Sequence, residues 1–174
     1  MGPSGSNQQN SRWIIVRDAA RKQRLAELNR RAVEGYISRR REAVTALPEA
    51  QAKSQGRILD AVEWQSLHLH EAPAMVVACV AMFLPASGSF LSGLGAGDSI
   101  WPSVQNLLLA ARGLGLGAAL TTLALSDREA FKAALEIPEG IEPVCLVPLG
   151  YPLGNFGPVA RRPVEDVLRW DTWS

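Results

Sequence analysis

Residues 74–82 read Ala-Met-Val-Val-Ala-Cys-Val-Ala-Met, nine positions without a charge or a turn-forming residue. A strand with one wet face alternates apolar and polar residues, so this continuous run predicts a central strand covered on both sides. The longer uncharged stretch that contains it, 72–84, falls short of the roughly 20 apolar residues that span a bilayer. Strand-like runs and helical periods follow one another along the rest of the chain. Together they predict an α+β fold, a mixed central sheet flanked by helices, in a single domain over 1–174.

The flanking elements follow from local pattern. Residues 12–17, Arg-Trp-Ile-Ile-Val-Arg, predict a short strand. Asp18 then caps a long helix, whose apolar positions Leu25, Leu28, Ala32, Val33, Tyr36 and Ile37 recur at steps of three and four. Residues 48–56 read as a loop, and 57–66 as a second helix. Residues 85–97, small and glycine-rich, predict another loop. Asp98 is placed to open a helix with Ile100, Val104, Leu107, Leu108, Ala111 and Leu114 on one stripe, and Pro102 is tolerated in its first turn. An extended piece over 118–123, a capping box at Ser126–Glu129 before a short helix, a strand over 142–149 and an exposed tail with Trp170 and Trp173 complete the pattern.

A formal net charge of +1 conceals an asymmetry. Residues 1–57 carry twelve Lys or Arg against five Asp or Glu, and residues 58–174 six against twelve. Tyr36 is the one aromatic among the arginines of the long helix. That is no base-stacking platform, and no nucleic-acid partner is expected. Cys79 and Cys145 each lie inside an apolar run, the setting of buried free thiols in a reducing compartment. The N-terminus has neither the charged start nor the apolar core of a signal peptide, so a cytoplasmic protein without membrane attachment is expected.

Few residues offer chemistry of their own. Gly113-Leu-Gly115-Leu-Gly117-Ala118 matches the spacing of a dinucleotide fingerprint, but it follows a helix where the fingerprint needs a preceding strand. It reads as a helix stop. His68 and His70 are two apart and fit one strand face, without the further ligands a metal needs. No nucleophile elbow surrounds any serine. An enzyme built on this chain needs a cofactor to bring the reactivity.

Four stretches in order carry a resemblance. The first is Pro3-Ser4-Gly5-Ser6-Asn7-Gln8-Gln9 with the strand and basic helix behind it. The second is His70-Glu-Ala-Pro-Ala-Met-Val-Val-Ala78, and the third Ser99-Ile-Trp-Pro-Ser-Val-Gln-Asn-Leu-Leu-Leu-Ala-Ala-Arg-Gly-Leu-Gly-Leu-Gly117. Last come Pro148-Leu-Gly-Tyr-Pro152, Arg161-Arg-Pro-Val-Glu-Asp-Val and the Trp-Asp-Thr-Trp tail. In this order they resemble the nitroreductase family, across almost the whole chain. The resemblance implies a nitroreductase-like sandwich and an obligate homodimer with FMN at the subunit interface. It further implies electron transfer from NADH or NADPH through the flavin to a nitroaromatic, a quinone or a similar small acceptor.

By the same resemblance Pro3, Ser4, Gly5, Asn7 and Gln9 would reach the flavin from one subunit. Arg162, with Arg161, would hold its phosphate from the other. Thr121 and Thr122 would face the ring near its redox-active nitrogen, and Gln65 would meet the ring edge. No side chain is expected to be catalytic and none to bind metal. The family's pattern also places an arginine-rich segment ahead of the Pro-Ser loop, whereas this sequence opens on the loop itself. Weaker flavin binding, or a flavin-binding or dimerisation remnant, is therefore the alternative expectation.

Overall fold

The computed structural model describes residues 2–81, 99–157 and 161–173. Strand β1 (Ser11–Val16) is followed by helices α1 (Ala19–Thr45) and α2 (Glu49–His68) and by strand β2 (Ala74–Ala81). Then come α3 (Ile100–Gly113), β3 (Gly117–Ala118), α4 (Arg128–Leu135) and β4 (Ile141–Gly150). The sheet order is β1-β2-β4-β3. The α+β class holds, but the expected mixed sheet is antiparallel at every described ladder.

Met75 through Ala81 are all buried, as the apolar run requires. Met75, Val77 and Cys79 enter one core with Leu25 and Ala26 of α1 and Phe131 of α4. Val76, Ala78 and Val80 enter the opposite core with Ile100 and Val104 of α3. A third cluster, Val33, Ile37 and Leu59, closes the α1–α2 hairpin. The β2–β4 register slips between Ala78 and Cys79, where Cys79 faces Pro143. Proline has no N–H for the ladder, and a bulge is where an inner strand tolerates one.

Several local expectations are corrected. The loop expected over 48–56 is the first two turns of α2: Pro48 stands just before the helix, and Glu-Ala-Gln-Ala-Lys-Ser-Gln supplies good helix formers without an apolar period. His68 and His70 lie in the last turn of α2 and the 3₁₀ turn after it, not on a strand. The cap of α4 is Asp127, whose carboxylate accepts the Ala130 N–H at 3.0 Å, while Ser126 donates back to Leu123 O. The extended piece shrinks to Gly117–Ala118 and a bridge from Thr121 to Leu146. The glycine stop stands: Gly115 has φ +77° and Leu116 N–H reaches back to Ala111 O at 2.8 Å. The loop expected over 85–97 and the cap expected at Asp98 lie outside the described residues.

Part of the basic surface of α1 is structural. Arg21 donates to Ala134 O at the C-terminal end of α4 and pairs with Glu136 at 2.8 Å. Arg41 joins α1 to α2 through Asp60 and Glu63 at 2.9 and 2.6 Å.

Cys79 and Cys145 are free, fully buried and in different core clusters on the two faces of the sheet. Burial pushes both thiols up to about 11. At pH 8 neither is expected to react with a thiol-specific reagent in the native protein, and both are expected to react in denaturant. Labelling of the native chain at the denatured rate would contradict this placement.

Candidate functional site

The N-terminal loop is held at both ends and by its own side chains. Gly2 N–H donates to Ser103 Oγ and Gly5 N–H to Ser99 Oγ, each at 3.1 Å, which docks the loop on the first turns of α3. Ser4 closes the loop: its carbonyl accepts the Asn7 N–H at 3.0 Å and its hydroxyl oxygen the Gln9 N–H at 2.9 Å. Buried Asn10 then starts the ladder, its carbonyl accepting the Ala81 N–H at 2.8 Å.

Between these anchors Ser6, Asn7 and Gln9 adopt φ of 50°, 50° and 48°. Left-handed backbone at a residue with a Cβ costs about 1–2 kcal/mol each, so the loop needs its anchors to keep this shape. The shape leaves the carboxamides of Asn7 and Gln9 exposed, with Pro3 and Gly5 exposed beside them and Ser4 half-buried. Ser4 Oγ spends a lone pair on Gln9 and keeps its own proton to donate.

Thr121 and Thr122 differ sharply. Thr121 is buried and exchanges two 2.9 Å backbone bonds with Leu146 of β4. Its hydroxyl donates to Asn29 Oδ1 at 3.2 Å and accepts the Leu123 N–H at 3.3 Å. Thr122 is exposed, and neither its amide nor its hydroxyl has a partner among the described residues. Of the two, Thr122 offers free donors and Thr121 is the support beneath it.

Gln65 is half-buried on α2, one residue from Trp64, whose ring stacks on His68 at 4.4 Å. His68 Nδ1 lies 2.9 Å from Glu71. Arg161 and Arg162 lie on the tail, where every residue from 161 to 173 is exposed. The N-terminal loop, Gln65 and the Thr121–Thr122 segment share no described hydrogen bond.

Three supporting residues escape a search for flavin contacts. Ser99 and Ser103 grip the loop, and Asn29 lies on the buried stripe of α1 between Leu25 and Val33. A polar residue on an apolar stripe is a readable signal in the case of Asn29. The serines have none, because their acceptor role depends on a loop nearly 100 positions away in sequence.

A sequence model described as the Nitroreductase family matches residues 1–151. A curated protein of Methanothermobacter thermautotrophicus named NADH dehydrogenase/NAD(P)H nitroreductase is 49% identical over 55 residues, 30% of this chain and 29% of that protein. The NfrA1 nitroreductase of Bacillus subtilis superposes with a TM-score of 0.72 at 14% identity, over 99% of this chain and 62% of that one. Iodotyrosine deiodinase bound to FMN and 3-iodo-L-tyrosine superposes at 0.70 with 24% identity, over 99% of this chain and 82% of that one. At these identities the structures show the shared fold. The chain spans less than two thirds of the length of several of them.

The loop anchor can be tested alone. A Cβ on residue 2 would collide with Ser103 Oγ and meet the Ser103 backbone nitrogen at 2.8 Å. Gly2→Val is therefore expected to free the loop for proteolysis several-fold faster, while global stability changes by less than about 0.5 kcal/mol, as at other surface positions. Equal cleavage rates would show that the anchor does not hold the loop.

Proposed function

The chain belongs to the nitroreductase family, and from that premise we propose that it is an oxidoreductase working through FMN. NAD(P)H is the electron donor and a nitroaromatic, quinone or similar small molecule the acceptor. The observation that carries this reading is the N-terminal loop, which holds three left-handed non-glycine residues and turns two carboxamides outward. Strain of that kind concentrates where a ligand is gripped.

When bound, FMN supplies the redox chemistry, accepting a hydride equivalent and passing electrons on. The chain's own residues bind and orient. Asn7 and Gln9 offer both donors and acceptors to the pyrimidine edge, within the loop that Pro3 and Gly5 help to shape. Ser4 donates its remaining proton to an anionic oxygen. Thr122 turns its amide and hydroxyl toward the redox-active side of the ring, and Gln65 meets the ring edge. Arg162, which has no partner among the described residues, serves the phosphate with a planar fork of donors, and Arg161 assists it.

The second subunit is part of the same proposal. Trp13 and Ile15 of β1 are 40% and 69% exposed. They share a sheet face with Ala78 and Val76, their cross-strand partners, and so lie on the α3 side. Trp101 and Leu109 of α3 are exposed as well, and Trp170 and Trp173 on the tail are 79% and 87% exposed. So much uncovered apolar surface suits a homodimer in which the tail of one subunit carries its arginines to the loop of the other.

Titration of the full chain with FMN, followed by visible absorbance, is expected to show saturable uptake and bleaching by NAD(P)H under anaerobic conditions. Colour should return on adding a quinone. Arg162→Ala should weaken FMN binding by about 1.5–3 kcal/mol, the worth of a charged hydrogen bond. Arg39→Ala, on the exposed face of α1, should cost almost nothing. A chain that stays colourless in excess FMN contradicts the proposal, and equal affinities in the two variants remove Arg162 from the site.

A further inference from the structure

Asn29 is 1% exposed, in the middle of α1, where leucine or alanine would suit both the helix and the packing better. Its amide nitrogen is the one buried side-chain donor without a partner among the described residues. Its oxygen accepts the Thr121 hydroxyl at 3.2 Å. The same hydroxyl accepts the Leu123 N–H at 3.3 Å. One side chain of α1 is thus wired through Thr121 into the turn whose middle residue, Thr122, turns free donors to the surface.

We propose that Asn29 is a positioning residue: through Thr121 it fixes the orientation of the Thr122 amide and hydroxyl, and thereby tunes the electron affinity of the flavin they meet. The inference rests on the proposed flavin site, because it takes Thr122 as a ring contact. The backbone bridge from Thr121 to Leu146 fixes the start of the turn. The Leu125 N–H on Thr122 O at 3.0 Å ties the far side of the turn, and the Asn29–Thr121–Leu123 chain adds the side-chain bond that sets the peptide plane between Thr122 and Leu123. A buried carboxamide with half of its hydrogen-bonding capacity unused is a poor way to stabilise a core. The geometry shows what its other half holds in place.

The test uses the full chain with Asn29→Leu, Thr121→Val, the double variant and Thr121→Ser. In flavin-free protein, amide hydrogen exchange at Leu123 is expected to speed by about tenfold in the first three. With FMN bound, the reduction potential should shift in one direction in all three. The double variant should shift it no further than a single one, because both act through one link. The double variant also removes the unpartnered Asn29 amide, so it should melt no lower than Thr121→Val alone, in which the Leu123 N–H has already lost its acceptor. Thr121→Ser keeps the hydroxyl and should restore parental exchange and potential. A lower melting temperature with Leu123 exchange and flavin potential unchanged would make Asn29 merely structural and overturn the inference. Uptake of FMN with a potential indifferent to all the substitutions overturns this inference alone. A parent chain that takes up no FMN overturns the functional reading and this inference with it.

Discussion

Strand β2 has no water on either face, and the rest of the fold answers to that. Each fully buried valine or methionine along it contributes about 1.5–3 kcal/mol on leaving water, and Met75, Val77, Ala78 and Cys79 are 0% exposed. Such a strand needs a layer on each side. The α1–α2 hairpin with α4 supplies one, and α3 supplies the other. Because β1 pairs with β2 from Ser11 opposite Val80 onward, the loop before β1 is delivered to the end of β2 from which the chain leaves toward α3. The same constraint that builds the core thus sets the N-terminal loop against the first turns of α3, where Ser99 and Ser103 receive it.

The candidate site consists of surface groups held by residues behind them, half-buried serines under the loop and buried Thr121 and Asn29 under the turn. Asn7 and Gln9 are exposed on a backbone they could not keep unaided, and the hydrogen bonds that keep it come from Ser4, Ser99 and Ser103. Thr122 is exposed on a turn that buried Thr121, itself bonded to buried Asn29, ties together by hydrogen bonds. Groups that bind a planar, charged ligand must be fixed before it arrives, since each side chain immobilised on binding weakens affinity.

Elements with a strong internal period were legible in the sequence: β2 from its unbroken apolar run, α1 from Leu25, Val33 and Ile37, α3 from Ile100, Val104 and Ala111. The first half of α2 was hidden because it packs little and carries no apolar stripe, so helix propensity alone had to speak. The Ser126 cap was misplaced by one residue because serine and aspartate stand side by side and either side chain can cap. For the candidate site, the loop residues were singled out through a resemblance to a family. Asn29, Ser99 and Ser103 were not, since their roles arise from contacts between segments far apart in sequence. The difference between Thr121 and Thr122 also needed the structure, because a bridge to Leu146 buries one and exposes the other.

The central claim is that a complete flavin site joins the loop of one subunit to the arginines of its partner. Mixing two defective proteins tests it directly. One carries Asn7→Ala with Gln9→Ala, the other Arg161→Ala with Arg162→Ala, and the two are exchanged through mild denaturant. In a shared-site dimer each mixed pair combines both defects in one site and leaves the second site intact, so about one site in four regains FMN after random exchange. If each site were built within a single subunit, every site would keep a defect. FMN binding in the mixture would then never exceed that of the two proteins measured apart, and that result would contradict the claim.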